Sequence, residues 1–160
     1  MTATDTDTRP AVRLQPPPPK LMRIVNPLVR RVLTTAPLGR RLPRQAVLGF
    51  QGRRSGRSHR LPVCLFDVDG AVMVFTKRSW RFNFVDGAPV TVTHQGRRRR
   101  ARAALLDTNP EQVGRAVRAA LDNGATPFQI GLTMPRNYNP TVAELAALPL
   151  GLIHVAFEEE

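Results

Sequence analysis

Residues 48–66, LGFQGRRSGRSHRLPVCLF, decide how the chain is read. Apolar residues lead into the stretch and out of it. Between them lie Gly52, Arg53, Arg54, Ser55, Gly56, Arg57, Ser58, His59 and Arg60. A hairpin turn needs little more than a glycine beside an asparagine or aspartate. Four guanidinium groups exceed that need and point to a bound anion. Gly52 and Gly56 open backbone conformations closed to other residues, and are expected to turn amide N–H groups toward a concavity. Arg53, Arg54 and Arg60 can fork onto phosphate oxygens, and Ser55 can add a hydrogen bond. Strand, basic glycine loop, strand is therefore read as a phosphate-holding rim.

The alternation of apolar residues on either side extends that reading. AVLGF (46–50) is predicted as a strand entering the loop, and LPVCLFD (61–67) as the strand leaving it. AVMVFT (71–76) follows across Val68, Asp69 and Gly70, a hairpin turn with Asp-Gly at its tip. PVTVTH (89–94) and RARAALLD (100–107) flank a second hairpin at Gln95, Gly96 and Arg97. Arg100 and Arg102 alternate with Ala101 and Ala103, giving that strand one wet face and one packed face. About five closely connected strands favour a small antiparallel barrel over a parallel sheet. A helix is predicted next, with Asn109 as cap, Pro110 in its first turn and Gly124 beyond its end. A shorter helix lies in PTVAELAAL (140–148), and LGLIHVAFEEE (150–160) is a final strand that returns to the sheet.

Upstream, residues 1–19 are Thr-, Asp- and Pro-rich and end in Pro16–Pro19, which reads as a disordered tail. Residues 20–44 carry Leu21, Ile24, Val25, Leu28, Val29 and Val32 at helical spacing among arginines. That is either a helix packed on the domain or a basic amphipathic segment on an anionic membrane. Residues 45–160 then form the barrel domain. The chain of 160 residues has 24 Lys+Arg against 12 Asp+Glu, a formal charge of +12. No acid occurs between Asp7 and Asp67, so this half presents a positive field suited to phosphates, anionic lipid or nucleic acid. Cys64 is the only cysteine, which excludes an intramolecular disulfide and suits a reducing compartment. No apolar run is long enough to span a membrane, and the start lacks a signal peptide, so a cytoplasmic protein is expected. His59, His94 and His154 show no metal-ligand spacing, and no metal is expected.

The stretch from Gly52 to Val63 resembles the G-R-[KR]-[ST]-G-x-x-R-x-x-P motif of the deazaflavin-dependent nitroreductase family. Trp80-Arg81-Phe82-Asn83-Phe84 followed by Ala88-Pro89-Val90-Thr91-Val92 is similar to that family's W-x-x-N-L and N-P-x-V-x-V. The upstream NPLVRRVL is similar to its basic helix. The resemblance covers roughly residues 24–106. It implies an α+β, mainly β fold: a split β-barrel, FMN-binding-like, with flanking helices. It implies coenzyme F420, a 5-deazaflavin with a phosphate-bearing polyglutamate tail, with FMN as the alternative. Carried over, Arg53, Arg54, Ser55, Gly56 and Arg60 would take the phosphate. Pro62 and Val63 would border the ring, and Thr76 and Lys77 the same pocket. Trp80 and Asn83 would brace its wall. Tyr138 would either lie over the substrate or serve only its turn, and the proton would come from it or from solvent. The segment TKRSW (76–80) is shorter than the family's counterpart and lacks its glycines.

The function these readings imply is hydride transfer from reduced F420 to an electron-poor acceptor, a quinone, enone or nitroaromatic. The expected form is a monomer or homodimer, either free in the cytoplasm or peripheral on the inner face of the plasma membrane through residues 20–44. A split barrel that binds a flavin, haem or lipid without turnover is the alternative, favoured by the short TKRSW segment. A nucleic-acid binder, suggested by Arg97–Arg100, ranks last and no nucleic acid is expected, because single-strand binders need aromatic stacking surfaces beside their charge.

Overall fold

Ala46, Leu48 and Phe50 are buried on one face of the first long strand, Gln45–Gln51 (β2), and this alternation fixes which side of the sheet becomes the core. The computed structural model describes residues 11–14 and 44–159. After Arg13–Leu14 (β1) and β2 come Ser58–Cys64 (β3), Phe66–Val68 (β4), Ala71–Thr76 (β5), a 3₁₀ helix at Ser79–Phe84, Ala88–His94 (β6) and Arg97–Leu105 (β7). The helices Pro110–Asp122 (α1) and Pro127–Ile130 (α2), the strand Leu132–Thr133 (β8), the helix Val142–Ala146 (α3) and the strand Gly151–Phe157 (β9) complete the chain.

Among the described residues, seven strands form one sheet in the order β3-β2-β6-β7-β9-β5-β4, and its pairings are antiparallel. Its two edge strands, β3 and β4, are consecutive in sequence. The single strand expected over 61–67 therefore breaks at Leu65, where the chain passes from one edge of the sheet to the other. Leu65 turns inward, 9% exposed, and its N–H donates to the Arg44 carbonyl at 2.7 Å. A sheet whose opposite edges are joined by one residue must curl upon itself. The count rises to seven because of this break and because β9 returns between β7 and β5.

The inside of the curl is one apolar core, containing Leu48, Val74, Phe84, Val92, Ala101, Ile153 and Val155. A second core fills the space between the outer face of β4, β5 and β9 and the helices, with Phe66, Phe75, Val117, Leu145 and Leu152. Both expected hairpins form: Asp69 and Gly70 have φ of 52° and 82°, and Gln95 and Gly96 have 50° and 77°. Positive φ at both central residues matches the right-handed strand twist. α1 begins as its sequence requires, with Asn109 and Gln112 in a reciprocal capping box and Pro110 at the first position.

One expectation is corrected. Residues 11–14 lie within the segment read as a disordered tail, yet Val12 is buried in the second core and β1 pairs with β8. Apolar cover for Val12 and Leu14 offsets the cost of ordering them. The segment TKRSW leads into a 3₁₀ helix that alternation does not reveal. The expected amphipathic segment at 20–44 lies outside the described residues except for Arg44. The Arg44 guanidinium donates to the Asn123 carbonyl at 2.8 Å, and Asn123 donates to the Asp67 carbonyl at 3.0 Å. These bonds tie the end of α1 to the sheet.

Candidate functional site

Side chains that do not face the curl's interior face out, and on β3, β2, β6 and β7 they align in rows. Arg60 stands opposite Gly49, Gly49 opposite Thr91, and Thr91 opposite Arg100. The neighbouring row is Pro62, Val47, Thr93 and Arg98. At about 4.8 Å per strand, the Arg60 and Arg100 backbones are ~14 Å apart. A cleft of about 770 Å³ lies over these rows, its floor at Val47, Gly49, Thr91 and Thr93 and its rims at Arg60 on one side and Arg98 and Arg100 on the other. Gln51, Gly52, Ser58 and His59 close the end nearest the arginine loop.

Gly49 is the reason the cleft is deep there. A Cβ at this position would stand 2.5 Å from Thr91 Oγ1, so the Thr91 side chain lies over the space that a side chain here would fill. Glycine inside a strand commonly marks close approach of a ligand or another backbone. The electrostatics favour an anion. Arg98 and Arg100 make no ion pair among the described residues, and Glu158 is the single carboxylate in the lining.

The loop is built differently from the sequence reading. Its glycine amides do not face a concavity: Gly52 N–H donates to the Arg57 carbonyl at 2.8 Å, and Gly56 N–H to the Gly52 carbonyl at 2.9 Å. The Ser55 hydroxyl accepts from Arg57 N–H at 3.2 Å. The turn closes on itself, with Gly56 at φ +66°. Arg53, Arg54, Ser55 and Gly56 are exposed and do not line the cleft; of the expected phosphate ligands only Arg60 does. Arg53 forms an exposed ion pair with Asp86 at 3.0 Å, a contact of little energetic weight.

Asn83 holds the loop in place. Its Oδ1 accepts from Arg53 N–H at 2.7 Å, while its Nδ2 donates to the Trp80 carbonyl at 2.8 Å. Trp80 packs edge-on to Phe84 and tilts against Phe50, which stacks on His59 at 5.3 Å. This aromatic group carries the base of the loop. Pro62 and Val63 fall on opposite faces of β3, because strand side chains alternate: Pro62 is in the outer row and Val63 packs on the inner core. Thr76 Oγ1 accepts from Arg78 N–H at 3.1 Å, and the Lys77 carbonyl accepts from Arg81, so both shape the turn into the 3₁₀ helix.

Tyr138 is remote from the cleft. It packs against the second core, and its hydroxyl donates to Glu144 Oε1. That bond raises the tyrosine pKa above its ordinary 10.0, and it holds the Glu144 carboxyl below 4.5, helped by Thr141. A lowered carboxyl value contributes stability above pH 4.5 that is lost as pH falls through the folded value; a raised phenol value contributes below pH 10.0 and is lost as pH rises through it. The stability gap between wild type and Tyr138→Phe is thus expected to be greatest between these limits and to narrow outside them. Urea unfolding of both proteins across pH checks this, and a gap that widens in acid would contradict it.

Cys64 is half-buried, and burial pushes its thiol up, with Arg44 opposing. No helix among the described residues is long and apolar enough to cross a membrane.

No family model and no curated protein matches the chain. Solved structures do. A conserved hypothetical protein from Mycobacterium tuberculosis aligns at 13% identity and TM-score 0.47, over 83% of this chain and 80% of that one. The general stress FMN/FAD binding protein of Xanthomonas citri aligns at 19% and 0.44, over 74% and 78%. The fold of this chain is a seven-stranded antiparallel sheet curled into a half-barrel. A protein described as an F420 reductase aligns at 16% and 0.44, over 73% of this chain and 88% of that one.

Proposed function

We propose that the chain is an oxidoreductase whose outward cleft holds a flavin-like coenzyme, deazaflavin F420 in preference to FMN, and delivers hydride to an electron-poor acceptor such as a quinone, enone or nitroaromatic. The observation that carries the reading is the row Arg60–Gly49–Thr91–Arg100. A flat tricyclic ring needs a low floor, and Gly49, flanked by no side chain larger than threonine in its row's centre, supplies it. Anionic groups on its tail need cations, and Arg60 with Ser58 supplies one end while Arg98 and Arg100 supply the other. The cleft volume falls within the ~300–1,000 Å³ range of cofactor sites. A single phosphate would engage one rim and leave the other unmatched. A tail with a phosphate and several carboxylates matches both, which favours F420.

When bound, the coenzyme supplies the hydride chemistry. The protein's part is to bind, orient and leave a face open. Thr91 offers a hydroxyl group on the floor, and the buried Val47 and Thr93 back it. With Tyr138 spent on Glu144 away from the cleft, the proton for the reduced acceptor comes from solvent. The alternative of a binding protein without turnover draws on the short connection from Thr76 to Trp80.

Fluorescence titration tests the assignment. F420 is expected to bind with micromolar or better affinity and more tightly than FMN. Tight FMN binding, with F420 emission unchanged at high protein concentration, would overturn it. F420 binding with no oxidation of the reduced coenzyme by any of the three acceptor classes would favour the non-catalytic alternative.

A further inference from the structure

The arginines that do not reach the cleft adjoin two exposed apolar side chains, Phe82 and Val85, which are 50% and 49% exposed. Both belong to the 3₁₀ helix or its C-terminal cap. Residues three apart eclipse in a 3₁₀ helix, so these side chains share one edge while Trp80 and Phe84 pack toward the inner core. The Asn83 bond to Arg53 fastens the arginine loop beside that edge. The apolar pair therefore lies on a helix that the exposed Lys77 and Arg78 lead into, beside a loop whose Arg53, Arg54 and Arg57 are exposed, and Asp86 pairs with Arg53. The Arg81 guanidinium lies 4.4 Å from the Phe82 ring centroid, so charge and aromatic surface are in contact.

We propose that this edge is a membrane-contact surface, which places Phe82 and Val85 shallowly among the headgroups of an anionic bilayer with the exposed cations of the loop and the helix start over lipid phosphates. Basic charge interleaved with exposed apolar groups is the pattern of interfacial binding. A lipid surface provides anions in no fixed register, which suits cations carried on a loop and a short helix. Two apolar side chains are too few for a stable protein interface, which buries roughly 800 Å² per partner. The inference is independent of the coenzyme reading, and it involves described residues distinct from 20–44.

Trp80, the only tryptophan, lies two residues from Phe82 and reports on this edge. The full chain is mixed with phosphatidylglycerol–phosphatidylcholine vesicles whose acyl chains are brominated near the headgroup. Quenching of Trp80 is expected on these vesicles, absent on pure phosphatidylcholine, and reduced by high salt. Phe82→Ser/Val85→Ser should lower the vesicle partition coefficient by about tenfold or more. Arg54→Glu/Arg57→Glu should weaken binding similarly and reduce its salt dependence. An unchanged melting temperature in each variant shows that the fold is intact. Vesicle binding with Trp80 unquenched would overturn the proposal, because another surface would then face the lipid. Absence of binding to anionic vesicles would also overturn it, as would a Phe82-dependent dimer that ignores them.

Discussion

Gly114→Ala is expected to destabilise the protein by about 2 kcal/mol, although alanine is the better helix former by ~1 kcal/mol. Gly114 lies in the buried stripe of α1, with Val113, Ala116, Val117 and Ala120. There α1 crosses α3 so closely that a Cβ on Gly114 would stand 2.6 Å from the Val142 carbonyl oxygen and 2.9 Å from the Ala146 nitrogen. Both are backbone atoms, so no rotamer change relieves the contact. α3 would have to move, and Leu145, fully buried in the second core, would move with it. Thermal unfolding is the check, with an expected fall of roughly 4–8 °C for a chain of this size. A melting temperature equal to or above the wild-type value would mean that the helices do not cross at this position.

The second large effect is expected at the cleft floor. Gly49→Leu should weaken coenzyme binding by at least about a hundredfold, ~3 kcal/mol, because its side chain would occupy the space assigned to the ring. The crowded atom, Thr91 Oγ1, belongs to a side chain on the cleft surface, so the fold should accommodate the change. Gly49→Leu/Thr91→Ala removes that contact altogether. Both variants should retain the wild-type sheet signature in circular dichroism, and the double variant should melt within a few degrees of wild type. A variant that loses structure together with binding would place Gly49 in the barrel's stability and not in its site.

The architecture was legible where local chemistry and tertiary packing agreed. Asp69-Gly70 and Gln95-Gly96 demanded tight hairpins, Asn109-Pro110 demanded a helix start, and both demands were met. The break at Leu65 was not legible, because an unbroken apolar run looks alike whether it stays in one strand or passes between two sheet edges. The pairing of β1 with β8 rests on contacts far apart in sequence, to which a pattern search is blind. The site was half legible. Arg60, which lines the cleft, stood out by its charge, and the alternation of Arg100 and Arg102 with alanines showed a wet face. What joined them was β2 pairing between β3 and β6, which no local pattern discloses. Gly49 inside an apolar strand was the available signal and went unused. The arginine loop drew the eye through its composition, yet its amides and its serine are consumed in holding its own turn.

The central claim is that coenzyme lies over Gly49, between Arg60 and Arg100. Titration of F420 against wild type, Gly49→Leu and Gly49→Leu/Thr91→Ala in parallel, followed by coenzyme fluorescence, tests it most directly. Saturable quenching is expected for the wild type and none for either folded variant at the same protein concentrations. Equal affinity for all three proteins would contradict it.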